Sequence, residues 1–168
     1  MASNATPTVF LVDDEPIQNE MLKDYLAERF NYTFNLYDNG EEALNNMRLN
    51  PEIVILDYHL NAHNTAAKNG VQILREIKER NPKTQVIMVS GQDKIQVAVD
   101  SMKYGAYDYI VKGETAFARM ENTLKRINEF EESKFAYESS RKSIRFLIIA
   151  MICIIILSVL LLTNGPRL

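Results

Sequence analysis

The sequence is poor in cysteine, in basic charge and in any leader-like opening. Cys153 is the one cysteine among 168 residues. No intrachain disulfide can form, which agrees with a reducing compartment. The 19 Lys and Arg are outnumbered by 22 Asp and Glu, giving a formal net charge of −3. No basic stripe is supplied, and nucleic acid is not an expected partner. Met1 to Pro7 is short and polar, without the apolar core of a secretory signal. Internal repeats are missing as well.

What is present is a regular alternation of two patterns. Val9–Val12, Thr33–Leu36, Ile53–Leu56, Val86–Val89 and Tyr107–Val111 read as five strands. Three of them are nearly continuous β-branched runs, the mark of strands covered on both faces. Helical spacing fills the intervals: Ile17, Met21, Leu22, Tyr25 and Leu26; then Glu41–Leu49; then Val71, Leu74 and Ile77. Ile95, Val97–Val99 and Met102 follow, closed by Gly105, and Phe117, Met120, Leu124 and Ile127 make the fifth. Gly and Pro punctuate the breaks at Asn39-Gly40, Asn50-Pro51 and Asn81-Pro82. Five βα units predict a doubly wound α/β fold with a parallel sheet, helices on both faces and right-handed crossovers. About 120 residues suffice for one such core.

Open α/β sheets bind ligands at the carboxyl ends of their strands. Asp13 and Asp14 follow the first strand and Asp57 closes the third. Clustered carboxylates repel one another, and a hard divalent cation relieves that repulsion. Mg²⁺ suits the site because it takes one or two carboxylates and completes its octahedron with water, backbone oxygen and phosphate. Asp57 could also act as a nucleophile forming an acyl phosphate. Ser90 at the end of strand four offers a hydroxyl, and Lys112 after strand five offers a mobile cation for phosphate oxygens. Taken singly, each has a bland alternative: an Asp-Asp pair before a helix is often a cap, and a Ser or Lys at a strand end is usually unremarked. Their joint arrival at four strand ends is the signal.

Residues 8–127 resemble the receiver domain of two-component response regulators, the CheY-like family. The matching motifs are Leu11-Val12-Asp13-Asp14-Glu15, Ile53-Val54-Ile55-Leu56-Asp57, Val86-Ile87-Met88-Val89-Ser90-Gly91 and Gly105-Ala106-Tyr107-Asp108-Tyr109-Ile110-Val111-Lys112. The resemblance implies a flavodoxin-like sheet of order 2-1-3-4-5. It further implies that Asp57 accepts a phosphoryl group from a histidine kinase or phosphotransfer protein. Mg²⁺ would be held by Asp14, Asp57 and the His59 backbone carbonyl, with Asp13 acting through water. Ser90 would grip a phosphoryl oxygen, Lys112 would pair with it, and Tyr109 would be the switch aromatic. Such a domain is not an enzyme in its own right: it signals to a downstream protein that the sequence does not identify. A homodimer through the helix 4–strand 5–helix 5 face, where Asp108 and Arg119 sit, is a further option. Two departures stand out. The family usually follows its strand-five lysine with a cis proline, whereas Gly113 follows Lys112, and glycine does not favour the cis form. The loop from Asp57 to Gly70 is also longer than usual and carries His59, Asn61, His63, Asn64 and Lys68, read as a polar loop shaping kinase choice or phosphate lifetime.

The chain ends differently. Residues 128–143 lose the apolar stripe and read as a helical linker. The run from Phe146 to Leu162 carries no charge, and with flanking residues it makes a 144–163 segment of 20 residues, about 30 Å of helix. Arg141, Lys142 and Arg145 precede it, so the positive-inside rule predicts a single-pass membrane helix with the N-terminal domain in the cytoplasm. The reading is therefore a membrane-tethered, single-domain response regulator in a phosphorelay, with a lipid bilayer as a partner. Two rivals are a degenerate, unphosphorylated receiver acting as a membrane-anchored binding module, and a small-molecule aspartyl-phosphate phosphatase. The latter generally needs a second acid two residues after its nucleophile, where His59 stands.

Overall fold

The structure, a computed structural model, describes residues 6–60, 67–91 and 95–163. The elements are β1 (Thr8–Val12), α1 (Pro16–Ala27), β2 (Thr33–Tyr37), α2 (Gly40–Asn45), β3 (Ile53–Asp57), α3 (Gly70–Arg80), β4 (Gln85–Ser90), α4 (Ile95–Lys103), β5 (Asp108–Val111) and α5 (Ala116–Thr163). All strand pairs are parallel and the order is β2-β1-β3-β4-β5. The flavodoxin-like α/β expectation holds in both order and direction. β1, β3 and β4 are interior to the sheet. Their runs Val9–Val12, Ile53–Asp57 and Val86–Ser90 are buried without interruption, which is why their sequences show no alternation.

Local signals set the helix ends. Pro16 opens α1, where its missing N–H costs nothing. Asn39 caps α2 by accepting from the Glu42 amide at 2.8 Å. Asn69 and Gln72 form a reciprocal capping box at the start of α3. α4 stops at Gly105, whose φ of 90° suits glycine. There the Ala106 amide donates to Ser101 and the Gly105 amide to Met102, the two bonds of a Schellman close. The expected second helix is shorter than 41–49, since Met47–Leu49 tightens into a 3₁₀ turn.

Two of the predicted apolar stripes are only partly core. In α1, Leu22 and Leu26 are buried, but Ile17 is 75% and Met21 57% exposed. In α4, Val97 and Ser101 are buried, whereas Ile95, Val99 and Met102 face solvent at 79%, 53% and 51%. The interior on one side of the sheet is instead built from Phe10, Val12, Val54, Leu56, Met88 and the α3 stripe Ile73, Leu74 and Ile77.

The chain divides into two compact units, 1–123 and 124–168. The first holds the whole sheet, α1–α4 and the opening turns of α5. The second consists, through Thr163, of the continuation of α5 alone. Among the described residues no helix is long and apolar enough to cross a membrane. The expected transmembrane helix over 144–163, the lipid-bilayer partner and the single-pass membrane location are corrected accordingly. In this stretch the described apolar side chains run from Ile144 to Ile152. The side chains of 153–163, on which the rest of that expectation falls, lie outside the described ones.

Candidate functional site

Parallel strands end at the same edge of the sheet, so the residues that terminate β1, β3, β4 and β5 are brought together by topology alone. Asp57 is the last residue of β3 and is 3% exposed. Asp13 and Asp14 lie just past β1, beside it. One ligand oxygen from each of Asp13, Asp14 and Asp57 can be chosen so that all lie within 4.8 Å of one another. Lys112 enters from the far side of the sheet, just after β5. Its Nζ donates to Asp13 Oδ2 at 2.7 Å and sits 3.0 Å from Asp57 Oδ1. Gly113 thus does not keep Lys112 from the cluster.

Backbone amides hold the carboxylates in place. The His59 amide donates to Asp57 Oδ2 at 2.7 Å, and the Glu15 amide to Asp13 Oδ1 at 2.9 Å. The segment after Asp57 is fixed on both sides: the Tyr58 amide donates to Val89 O at 2.8 Å, and the Gly70 amide to Tyr58 O at 2.9 Å. Gly70 is buried against this segment, and a Cβ there would overlap the Asp57 carbonyl oxygen. The Lys112 amide donates to Ser90 O at 2.8 Å, tying the tips of β4 and β5. Ser90 is fully buried. Tyr109 pairs in register with Met88, so it shares a sheet face with Ser90, two residues further along β4. It is half-buried against the core. Asn61, His63 and Asn64 lie outside the described residues. Asp108, expected on a dimer face, is bound within its own chain: Oδ2 accepts from Thr123 at 2.8 Å and Oδ1 from the Tyr109 amide at 2.8 Å.

One contributor escaped the sequence reading. Asn19, in α1, is 3% exposed, and its Nδ2 donates to the carbonyls of Asp13 and Tyr37 at 3.1 and 3.2 Å. It thereby joins the tips of β1 and β2 directly beneath the acidic loop. The available signal was a short amide at helical spacing from Leu22 and Leu26, three and seven residues on.

Electrostatically the site is an acidic cluster with a built-in counter-ion. Burial pushes the Asp13 carboxyl above its ordinary value, outweighing the hydrogen bond from Lys112 and the Glu15 amide, and the Asp57 charge pushes the same way. Burial also opposes the charge on Lys112, but its hydrogen bond to Asp13 and the charge of Asp57 outweigh that and raise its pKa. Three carboxylates against one ammonium leave negative charge in excess. At an effective dielectric near 20, two carboxylates about 5 Å apart repel by roughly 3 kcal/mol. Donors that are all hard oxygens, in a cluster this tight, fit Mg²⁺ by its ligand preference. A cavity of about 130 Å³ adjoins the cluster, reaching from Asp57 and Lys112 past Gly113 to Leu22 and Phe117.

The fold and site define a class: a flavodoxin-like α/β domain built around an acidic, lysine-paired strand edge. Within that class the chain belongs to the response regulator receiver domain family, whose model matches residues 9–125. Receiver domains are signalling domains rather than enzymes in their own right. Among curated relatives, the transcriptional regulatory protein CssR of Bacillus subtilis is 33% identical over 105 residues, covering 62% of this chain and 44% of the relative. The chemotaxis protein CheY of Thermotoga maritima is 30% identical over 105 residues, covering 62% of this chain and 83% of the relative. Among solved structures, the receiver domain of NtrX from Brucella abortus superposes with a TM-score of 0.63 at 29% identity, covering 72% of this chain and 98% of that one. Matches to three of the regulators cover 44%, 53% and 54% of their lengths, so the chain spans about half of each.

Proposed function

We propose that Asp57 is the phosphoacceptor of a two-component relay, charged by a histidine kinase or phosphotransfer protein. One observation carries the reading: a buried carboxylate at the end of the central strand lies 3.0 Å from a lysine that also binds Asp13 at 2.7 Å. An Asp57 oxygen would bond to phosphorus as the phosphorus–nitrogen bond of the donor phosphohistidine breaks, the imidazole leaving with a proton from solvent. Asp14, Asp57 and the His59 carbonyl would hold Mg²⁺, with Asp13 contributing through water. When bound, the ion screens the charge gathered around the transferring phosphoryl group. The Lys112 ammonium pairs with a phosphoryl oxygen, exchanging one anionic partner for another. The Ser90 hydroxyl donates to a second oxygen.

The switch follows from charge. Phosphorylation adds close to two negative charges and strong acceptors. Ser90 and Lys112 are drawn toward them, and Tyr109, on the same sheet face as Ser90, moves into the vacated space. The surface of α4 and β5 then changes, which a downstream protein reads. The exposed Ile95, Val99 and Met102 of α4 supply apolar contacts for that partner.

The test is intact-mass measurement of the chain incubated with acetyl phosphate and Mg²⁺. The expected result is the mass of one phosphoryl group, absent in Asp57→Asn and absent when EDTA replaces Mg²⁺. An unmodified wild-type chain, or equal modification of Asp57→Asn, rejects the assignment.

A further inference from the structure

The continuation of α5 beyond the sheet-bearing unit exposes large apolar side chains. One series among them keeps a seven-residue interval and runs into an end where Phe146 to Ile149 and Ile152 are exposed as well. Phe130, Tyr137, Ile144 and Met151 are 60%, 63%, 53% and 62% exposed, and each is seven residues from the next. Between Phe130 and Tyr137, the described residues Glu131, Glu132, Ser133 and Lys134 are all polar and exposed. Seven residues are just under two helical turns, so the four side chains form one stripe that drifts about 20° per heptad. A straight neighbour would lose such a stripe. A second helix wound gently around this one would follow it, packing knobs into holes along its length. The stripe runs about 32 Å from Phe130 to Met151, the three heptads over which a coiled coil becomes recognisable.

We propose that this helix is a self-association surface whose occupant is the same helix of a second copy of the chain, parallel and in register. With the stripe as the a positions, Ser133, Ser140 and Leu147 fall at d. A small residue at Ser133 leaves room for the flanking aromatic layers, and exposed Leu147 extends the apolar seam. Charges at the margins choose the partner and its direction. Glu129 falls at g and Lys134 at e of the next turn, both exposed, and in a parallel pair these two positions meet across the interface. An antiparallel pair would instead set e against e, and the e positions Lys134 and Arg141 are both cationic. The surface belongs to the second unit rather than to the one that carries α4 and β5, and it needs no phosphorylation.

Sedimentation equilibrium of the full chain tests this, without detergent. Wild type should sediment at twice its 19.3 kDa mass or more, and Phe130→Glu with Tyr137→Glu should return it to 19.3 kDa. An unchanged thermal midpoint would confirm that the sheet-bearing unit is still folded. Phe130→Leu with Tyr137→Leu keeps the heptad and should stay assembled. Lys134→Glu should weaken assembly about tenfold by setting like charges together at both margins, and adding Glu129→Lys should restore it. A monomeric wild-type chain, whether free or carried on added lipid vesicles, overturns the proposal. So does assembly that survives the double glutamate substitution, or a charge swap that fails to rescue.

Discussion

Lys112 and Asp57 lie 3.0 Å apart across two strand boundaries of the sheet. The same ammonium contacts Asp13 at 2.7 Å, so one cation holds two carboxylates from the ends of different strands. Lys112→Met removes that cation and leaves the acids facing one another. The metal-free protein should lose about 1–3 kcal/mol of stability, the usual cost of stranding part-buried charge. Mg²⁺ should then stabilise the variant more than wild type, because it substitutes for the missing charge. Urea unfolding in EDTA and in excess Mg²⁺ measures both. Equal stability of variant and wild type in EDTA would show that the ion pair contributes nothing.

Gly70 acts on the same residue from the backbone side. A Cβ there would overlap the Asp57 carbonyl oxygen and come within 2.8 Å of Tyr58 Cα. Neither is the end of a flexible side chain. Gly70→Ala should therefore displace the segment that carries Asp57 and the His59 amide. Phosphoryl uptake from acetyl phosphate should fall between about 10- and 100-fold, as small displacements of reacting groups do, and Mg²⁺ affinity measured calorimetrically should fall with it. Gly113→Ala is the control, since a Cβ at Gly113 meets open space. Equal behaviour of the two variants would remove the positioning role.

The sheet was legible because interior parallel strands announce themselves. The runs Val9–Val12 and Ile53–Leu56 are apolar throughout, and both are buried throughout. The acidic edge was legible for a related reason: once the strands are parallel, the ends of β1, β3, β4 and β5 must be neighbours. Exposure was not legible. Helical spacing says that Ile95, Val99 and Met102 share a face, but not that anything covers it. Asn19 was hidden by its polarity, because its role depends on two carbonyls, Asp13 and Tyr37, distant in sequence. The apolar end of the chain misled for the opposite reason. An uncharged run about 30 Å long with basic residues before it suggested a bilayer, but neither length nor hydrophobicity tells a lipid-facing helix from one that faces another helix.

Lys78 gives a pH-dependent prediction away from the acidic edge. Burial holds its pKa below the ordinary lysine value of 10.5, while its Nζ donates to Thr84 O at 2.6 Å. A lysine depressed in the folded state destabilises when charged. Its penalty is absent above 10.5 and appears as pH falls through the lower folded value. Lys78→Met removes the titration but strands the Thr84 carbonyl, a loss of about 1 kcal/mol. The stability of the variant relative to wild type should therefore be higher at pH 7 than at pH 11. Unfolding free energies at the two values, compared as differences, check it. A difference independent of pH would mean that Lys78 is no more desolvated than a surface lysine.

α4 offers the sharpest contrast between periodicity and burial. Val97 is 8% exposed while Ile95, two residues earlier, is 79% exposed, although both belong to the apolar stretch that opens the helix. Val97→Ala should cost about 1–2 kcal/mol through lost burial and the cavity it leaves. Ile95→Lys should stay within about 0.5 kcal/mol of wild type, as substitutions on uncovered surface do. Urea denaturation of the two variants decides the first half of the claim. The second half concerns function: if the exposed row is kept apolar for a partner, Ile95→Lys should leave acetyl-phosphate labelling of Asp57 intact. Labelling that falls together with stability would place Ile95 inside the folded core instead, contrary to its exposure here.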